Sequence, residues 1–149
     1  MALVLVLAAA LVLAACGDDA QPLDEACVRS PRVIERALVR APGPVRLPTG
    51  TRLSECVADA RSDADLQNAG FVLTRAADDL SARAQRGDAS AALRLGYLVG
   101  ATRRGASRTA GIHAELERRI ERAGAPLVEG APRLLAALRR GRRAGEAGG

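Results

Sequence analysis

The sequence predicts an all-α fold, a small bundle of about five to six helices. Apolar residues recur every three or four positions through most of the chain, which places them on one face of a helix. Ser, Asp, Gly and Pro residues divide this pattern into segments of helical length. No run long enough for a strand alternates apolar and polar residues with β-branched enrichment. The 149 residues suffice for one domain with a core, but not for two enzymatic domains.

The chain begins with an uncharged segment, residues 1–15, built from Ala, Leu and Val after the initial Met. Its length is typical of a signal-peptide apolar region and is too short to span a bilayer. The segment resembles a bacterial lipoprotein signal with its lipobox, carried here by Leu13, Ala14, Ala15 and Cys16. The resemblance implies cleavage before Cys16, acylation of its thiol, and a lipidated tether over residues 16–22. Since no Lys or Arg precedes the apolar run, we expect the true translation start to lie upstream.

Two cysteines, Cys27 and Cys56, remain if lipid occupies Cys16. An even pair in an exported domain is expected to form one disulfide. By the chain-entropy estimate, closing a loop of about thirty residues stabilises the fold by about 3.6 kcal/mol. The alternative for Cys27 and Cys56 is a reduced, buried pair. The alternative for residues 1–15 is an ordinary cleaved signal peptide in which Cys16 has no role. A redox pair is disfavoured because the chain has no CxxC spacing.

The helical domain is expected to cover residues 23–140. Its first helix begins at Pro31, with Ser30 as N-cap, and ends at Ala41 because Pro42 follows. Residues 42–50 contain three prolines and two glycines and predict a stiff linker. A second helix follows over about residues 52–61.

A break is predicted at Ser62, because the apolar residues before and after it fall on opposite faces of a single straight helix. Ser62 caps a third helix, which ends at Gly87 as a left-handed C-terminal cap. Asp88 caps a fourth helix, which ends at Gly105.

The predicted fifth helix begins after Ser107 or Thr109 and ends at Gly124. The last predicted helix is short, covering residues 132–140. Residues 141–149 are rich in Gly and Arg and are expected to form a flexible tail.

Residues 87–102 carry a second resemblance, to the first half of a Sel1-like repeat, a relative of the tetratricopeptide repeats. The matching residues are Gly87, Asp88, Ala91, Leu95, Gly96 and Leu98. Val99 stands where that family usually has an aromatic residue, and Thr102 where it usually has Gly. The resemblance implies a protein-binding scaffold. A compact bundle is favoured because no second copy appears and solenoids need about three units.

His113 is the only histidine, which excludes metal sites that need two histidines. With Glu117 four residues later, it is the one candidate for acid-base chemistry in a small envelope hydrolase or transferase. No candidate nucleophile lies beside it, so we expect His113 to be a partly exposed surface residue. The sequence supports no cofactor and no metal site.

Every one of the 22 basic residues is Arg, and residues 101–149 hold eleven of them against five acidic residues. Two clusters are candidate anion-binding sites: Arg103, Arg104 and Arg108 at a helix junction, and Arg139, Arg140, Arg142 and Arg143 near the end. The alternative for the first cluster is that its charges only stabilise a helix C-terminus. The alternative for the second cluster is a tail that only increases solubility. With only two aromatic side chains, and with export expected, nucleic acid is disfavoured as a partner.

Together these patterns predict a protein of the bacterial cell envelope, anchored by lipid to a membrane surface that faces the periplasm or the cell exterior. We expect a non-catalytic binding module that meets another envelope protein or an anionic envelope component. A helical groove or the Arg-rich C-terminal part would form the contact. Burial of His113 beside two carboxyl groups would favour the enzyme, whereas an exposed His113 with an apolar groove elsewhere would favour the module.

Overall fold

The computed structural model describes residues 22–109, 111, 113–127 and 131–149. These residues form six helices and no strand: α1 (Pro31–Leu38), α2 (Leu53–Ala58), α3 (Asp63–Gln85), α4 (Ala89–Ala106), α5 (Ala114–Gly124) and α6 (Pro132–Gly148). Two 3₁₀ turns, Glu25–Cys27 and Ala125–Leu127, precede α1 and follow α5. The predicted small all-α bundle is therefore confirmed. The lipobox-like residues lie outside the described residues.

Local capping explains why α3 and α4 begin where the sequence predicts. The Ser62 hydroxyl accepts a hydrogen bond from the Asp65 amide at 3.0 Å. The Asp88 carboxylate accepts from the amides of Ser90 and Ala91, at 2.9 and 3.0 Å. The turn between the two helices passes through Gly87, whose φ of +99° is one that side chains with a Cβ rarely adopt.

Three helices are shorter than predicted, because tight turns replace their outer turns. α1 ends at Leu38, and the chain continues to Ala41 through i to i+3 hydrogen bonds. α2 ends at Ala58 rather than at residue 61, and α5 begins only at Ala114. Each change shortens a predicted helix by a few residues and leaves the order of elements intact.

Helix α4 lies at the centre of the bundle and packs against α1, α2, α3, α5 and α6. Thirteen of its eighteen residues are buried, which is the pattern of a core helix rather than of an amphipathic surface helix. Tyr97 is the largest fully buried side chain. Its hydroxyl accepts a hydrogen bond from the Val45 amide at 3.4 Å, which ties the proline-rich segment 42–50 to the core.

The final helix corrects the prediction of a short helix followed by a flexible tail. α6 continues from Pro132 to Gly148, and both Gly141 and Gly145 are buried within it. Residues 141–148 are therefore ordered helix, and the predicted domain boundary at residue 140 is wrong. The physical reason is a contact between glycines of two helices, which the Gly- and Arg-rich composition of residues 141–149 does not reveal.

That contact joins Gly96 and Gly100 of α4 to Gly141 and Gly145 of α6, and we call these four residues the glycine interface. A Cβ atom added at any of them would lie 1.9–2.1 Å from a backbone oxygen of the other helix. Real Cβ atoms do not approach so closely, so only glycine permits this packing. Spacing of four places both glycines on one face of each helix, as in the small-xxx-small pairs of membrane helices.

Cys27 and Cys56 lie at disulfide distance, as the sequence predicts, with their Cα atoms 5.5 Å apart. Both residues are fully buried. A bond between them would tie the first 3₁₀ turn to α2 across the whole of α1 and the proline-rich segment.

Candidate functional site

An apolar groove runs along the surface between α3 and α5. It encloses about 380 Å³, and we call it the α3–α5 groove. Its lining is mostly apolar at the floor and polar at the edges, and consists of Leu66, Gln67, Gly70, Phe71, Thr74, Arg75, Glu115, Leu116 and Arg119. Gly70 keeps the floor open, because a Cβ there would already lie 3.6 Å from the Leu116 side chain. Concave apolar surfaces of this kind are the usual form of a binding site.

Phe71 is the outstanding residue of the groove, because 65% of this large apolar side chain is exposed. It is the only phenylalanine in the chain. Burying an aromatic side chain stabilises a protein by roughly 1.5–3 kcal/mol, so leaving it in water forgoes that gain. A contact that covers Phe71 would recover it, which makes the residue a candidate anchor for a partner.

The edges of the groove carry a positive balance. Glu115 pairs with Arg118 at 2.8 Å and with Arg119 at 3.0 Å. The hydrogen bond from Arg119, followed by the charge of Arg118, lowers the pKa of Glu115 below its usual value. No carboxylate within the described ranges lies within 4.0 Å of the Arg75 guanidinium. An acidic group on a partner would therefore find Arg75 available.

The sequence contains one indication of this groove, the position of Phe71, which the apolar periodicity of α3 does not explain. Leu66, Ala69, Gly70 and Leu73 recur at helical spacing on one face of α3, and Phe71 falls outside that face. An aromatic residue outside the buried stripe of an amphipathic helix is a candidate contact residue. The second wall was not predictable, because it depends on where α5 packs.

His113 is buried, with 2% of its surface exposed, and the expectation of a partly exposed surface residue is wrong. The reason is a distant hydrogen bond: its Nε2 atom lies 2.8 Å from the carbonyl oxygen of Ala60. Because a carbonyl only accepts, Nε2 donates and Nδ1 carries no proton in the neutral ring. Nδ1 makes no hydrogen bond with any described residue. Glu117 instead lies 4.0 Å from Arg103, so the described geometry joins His113 to a backbone and not to a carboxylate.

The first arginine cluster bonds to acceptors of the chain itself. Arg104 donates to the carbonyl oxygens of Glu146 and Ala147, at 2.8 and 2.7 Å, and so caps the end of α6. Arg103 lies 3.7 Å from the Glu146 carboxylate. Arg108 is exposed beyond the end of α4. The geometry thus gives Arg103 and Arg104 a structural role at the junction of α4 and α6.

The second cluster is spread over the surface of α6. Arg139, Arg140, Arg142 and Arg143 are all exposed. Arg142 lies 3.3 Å from the Glu146 carboxylate, which Arg103 also contacts. One carboxylate therefore joins the two clusters, while Arg139, Arg140 and Arg143 remain exposed on a regular helix.

Sequence reasoning missed a third group of arginines near the beginning of the domain. Arg29, Arg36, Arg40 and Arg46 line a surface depression of about 650 Å³, which we call the arginine groove. Their spacing of seven, four and six residues was visible in the sequence. Sequence spacing alone does not show that they meet, because the proline-rich segment must fold back to place Arg46 beside α1. The one acidic residue of the segment 29–46, Glu35, pairs with Arg83 instead.

The described residues contain no group of three His, Cys, Asp or Glu side chains placed to hold a metal ion. Across the same ranges, no helix has both the length and the apolar character required to cross a membrane. Comparison of the chain with protein-family models, with curated proteins and with solved structures finds no match. Functional inference therefore depends on the chain's own chemistry.

Proposed function

We propose that this chain is a lipid-anchored protein of the bacterial cell envelope that binds another envelope protein through the α3–α5 groove and catalyses no reaction. Support for the anchor comes from the lipobox-like residues that end in Cys16. The observation that carries the binding role is the exposed Phe71 at an apolar groove. The partner segment we propose is apolar, with an acidic residue that pairs with Arg75.

The proposal favours binding over catalysis because of the surroundings of His113. A histidine base needs a carboxylate or similar group to orient it and an open side on which substrate can approach. The Ala60 carbonyl can orient the His113 ring through Nε2, but the residue is only 2% exposed, so within the described part of the chain its unpartnered Nδ1 has no open side for a substrate. The Sel1-like scaffold stays a prediction, since residues 87–102 form a helix turn and most of α4 without a described second unit.

Site-specific photocrosslinking in the native envelope tests the binding role. A photoreactive amino acid replaces Phe71, and in a matched control it replaces Ala82, which is also exposed on α3 but lies outside the groove lining. We expect one discrete product of higher mass from position 71 and none from position 82. Adding Gly70→Leu, which fills the groove, should abolish the product. Equal labelling from both positions, or a product made only of two copies of this chain, contradicts the proposal.

Metabolic labelling with an alkyne fatty acid tests the anchor separately. We expect label on the parent chain and its recovery in the membrane fraction, and loss of both in the Cys16→Ser variant. A Cys27→Ser variant serves as control and should keep the label. Labelled, membrane-bound Cys16→Ser protein would remove the lipoprotein part of the proposal and leave the groove untouched.

A further inference from the structure

The arginine groove lies on the face formed by α1 and the segment 42–50. Its floor is apolar and buried, formed by Val33, Ala37 and Leu47. Its walls carry the four exposed guanidinium groups, and none of the described residues that line it is acidic. The groove therefore presents concentrated positive charge over an apolar floor that is already packed within the domain.

Most of this charge is available to a ligand. Arg29 pairs with Glu25, an exposed residue beside the groove. Arg46 donates to the carbonyl oxygen of Gly50 at 2.8 Å, a bond that orients the side chain without neutralising it. Arg36 and Arg40 have no carboxylate within 4.0 Å among the residues that the structure describes. Three of the four positive charges are thus uncompensated.

The groove adjoins the point where the described chain begins. Thr51 donates a hydrogen bond to the Asp24 carboxylate, two residues after Pro22. The Leu47 amide in turn donates to the Thr51 carbonyl at 2.9 Å. Leu47 is part of the groove floor, so hydrogen bonds connect the groove to the entry of the tether.

The length of the tether limits which face meets the membrane. Residues 16–22 span at most about 20 Å when fully extended. A domain of this size has a radius of gyration of about 14 Å, so its diameter exceeds the reach of the tether. A domain held at Cys16 therefore keeps Pro22 within about 20 Å of the bilayer surface, which leaves the nearby arginine groove within reach of the headgroups. The depression around Pro22 itself is lined by Asp24, Glu55 and Asp59, so the contact with anionic headgroups falls to the arginine groove and not to that depression.

We propose that the arginine groove binds the phosphate groups of anionic phospholipids in the membrane that holds the chain. This inference rests on the proposed lipid anchor. Guanidinium groups form bidentate, charge-assisted hydrogen bonds with phosphate oxygens. The buried floor confines the contact to headgroups. The anchor holds the chain at the membrane, and the groove fixes the orientation of the domain, which leaves the α3–α5 groove free for the protein partner.

Vesicle flotation without the lipid anchor tests the groove. The protein is the chain from residue 16 onward carrying Cys16→Ser, which keeps every described core residue. The vesicles are phosphatidylcholine alone or a 7:3 mixture of phosphatidylcholine and phosphatidylglycerol, in 0.1 M NaCl. We expect the protein to float only with the anionic vesicles. Since each Arg at an anionic surface strengthens binding roughly fivefold, Arg36→Gln, Arg40→Gln and Arg46→Gln combined should weaken it roughly a hundredfold.

A matched variant separates the groove from net charge. Arg122→Gln, Arg139→Gln and Arg143→Gln remove the same charge from exposed positions of α5 and α6 that do not line the arginine groove, and we expect a change below about threefold. Circular dichroism checks that both triple variants keep the parental helix content. Failure of the parent to float, equal losses in the two variants, or binding to soluble polyphosphate but not to vesicles overturns the inference. Because the tested protein cannot be acylated, these outcomes are independent of the Cys16 labelling result.

Discussion

Residues 22–60 and the pair α4–α6 are stabilised in opposite ways. Residues 22–60 contain helices of only eight and six residues and a proline-rich segment, joined by cysteines at disulfide distance. Helices α4 and α6 are eighteen and seventeen residues long and contact each other backbone to backbone at the glycine interface. Short elements bury too little surface to hold one another, and a covalent link between these cysteines would compensate. Long helices of small residues achieve the same through close approach.

The contrast follows from composition. The chain has two aromatic residues and fifteen glycines, so few large side chains are available to fill space between elements. Where helices are long, removing side chains brings backbones together and restores dense packing. In residues 22–60 the chain turns often, and backbones cannot pack closely in the same way, because proline and tight turns prevent extended helix contact.

The largest effect should come from removing the cysteine pair of residues 22–60. Combining Cys27→Ala with Cys56→Ala should lower the free energy of unfolding by about 3.6 kcal/mol, because the unfolded chain regains the freedom of a loop of about thirty residues. Urea unfolding followed by circular dichroism measures the change. The parent unfolded and refolded with reductant is the control and should show the same loss. An unchanged urea midpoint in the double variant, or free thiols in the denatured parent, would contradict the disulfide.

A slightly smaller effect should come from breaking the glycine interface. Gly141→Ala places a Cβ atom 1.9 Å from the Leu93 carbonyl oxygen, so the two backbones must separate. We expect a loss of about 3 kcal/mol, the upper part of the range for overpacking, because backbone cannot move aside as a side chain does. Urea unfolding again gives the change.

Gly148→Ala on the same helix is the matched control. Its Cβ would meet nothing closer than the Tyr97 hydroxyl at 3.8 Å, which is an ordinary contact. Since Ala favours helix over Gly, this variant should be neutral or more stable by up to about 1 kcal/mol. Equal stability of the two variants would show that α6 does not pack against α4 as described.

The smallest effect concerns the acid sensitivity of the first region, residues 22–60. Asp24 accepts a hydrogen bond from the Ala26 amide at 2.8 Å and another from Thr51. Burial alone would raise the pKa of Asp24, but hydrogen bonds from Thr49, Thr51 and Ala26 outweigh it and hold the pKa below 3.8. A lowered pKa in the folded state means that this stabilisation is present above about pH 3.8 and is lost as the pH falls through the folded-state value.

Asp24→Asn should therefore cost about 1 kcal/mol at pH 7, and the difference from the parent should shrink below about pH 4. Urea unfolding at pH 7 and pH 3 measures both values. Asp78→Asn, at an exposed position of α3, is the control and should change stability little at either pH. A cost for Asp24→Asn that does not vary with pH would show that the ionised carboxylate contributes nothing there.

The sequence predicted the parts of the fold that depend on neighbours along the chain. Ser62, Gly87 and Asp88 define helix ends through bonds and backbone angles that lie within a few residues, so their effect is visible locally. The cysteine pair was predicted from number and compartment, and the structure places it at bonding distance.

The missed features depend on contacts between residues far apart in sequence. The burial of His113 requires Ala60, fifty-three positions away. The value of Gly141 and Gly145 depends on the helix that faces them, although their spacing of four, repeated at Gly96 and Gly100, was a readable signal. The α3–α5 groove needs the packing of two helices, so the sequence indicated Phe71 as unusual but not the wall opposite it.

The glycine interface also has a consequence for the order in which the chain folds. It joins residues more than forty positions apart, and α5 and the following turn lie between α4 and α6 in the sequence. The contact therefore forms only after those intervening residues allow α6 to pack against α4. Before α6 packs, α4 exposes backbone and hydrogen atoms at its two interface glycines. Such a surface promotes non-native association far less than exposed Leu or Phe would. We therefore expect an interface built from glycines to leave the incomplete protein less prone to aggregation, before its last helix packs, than an interface of large apolar side chains would.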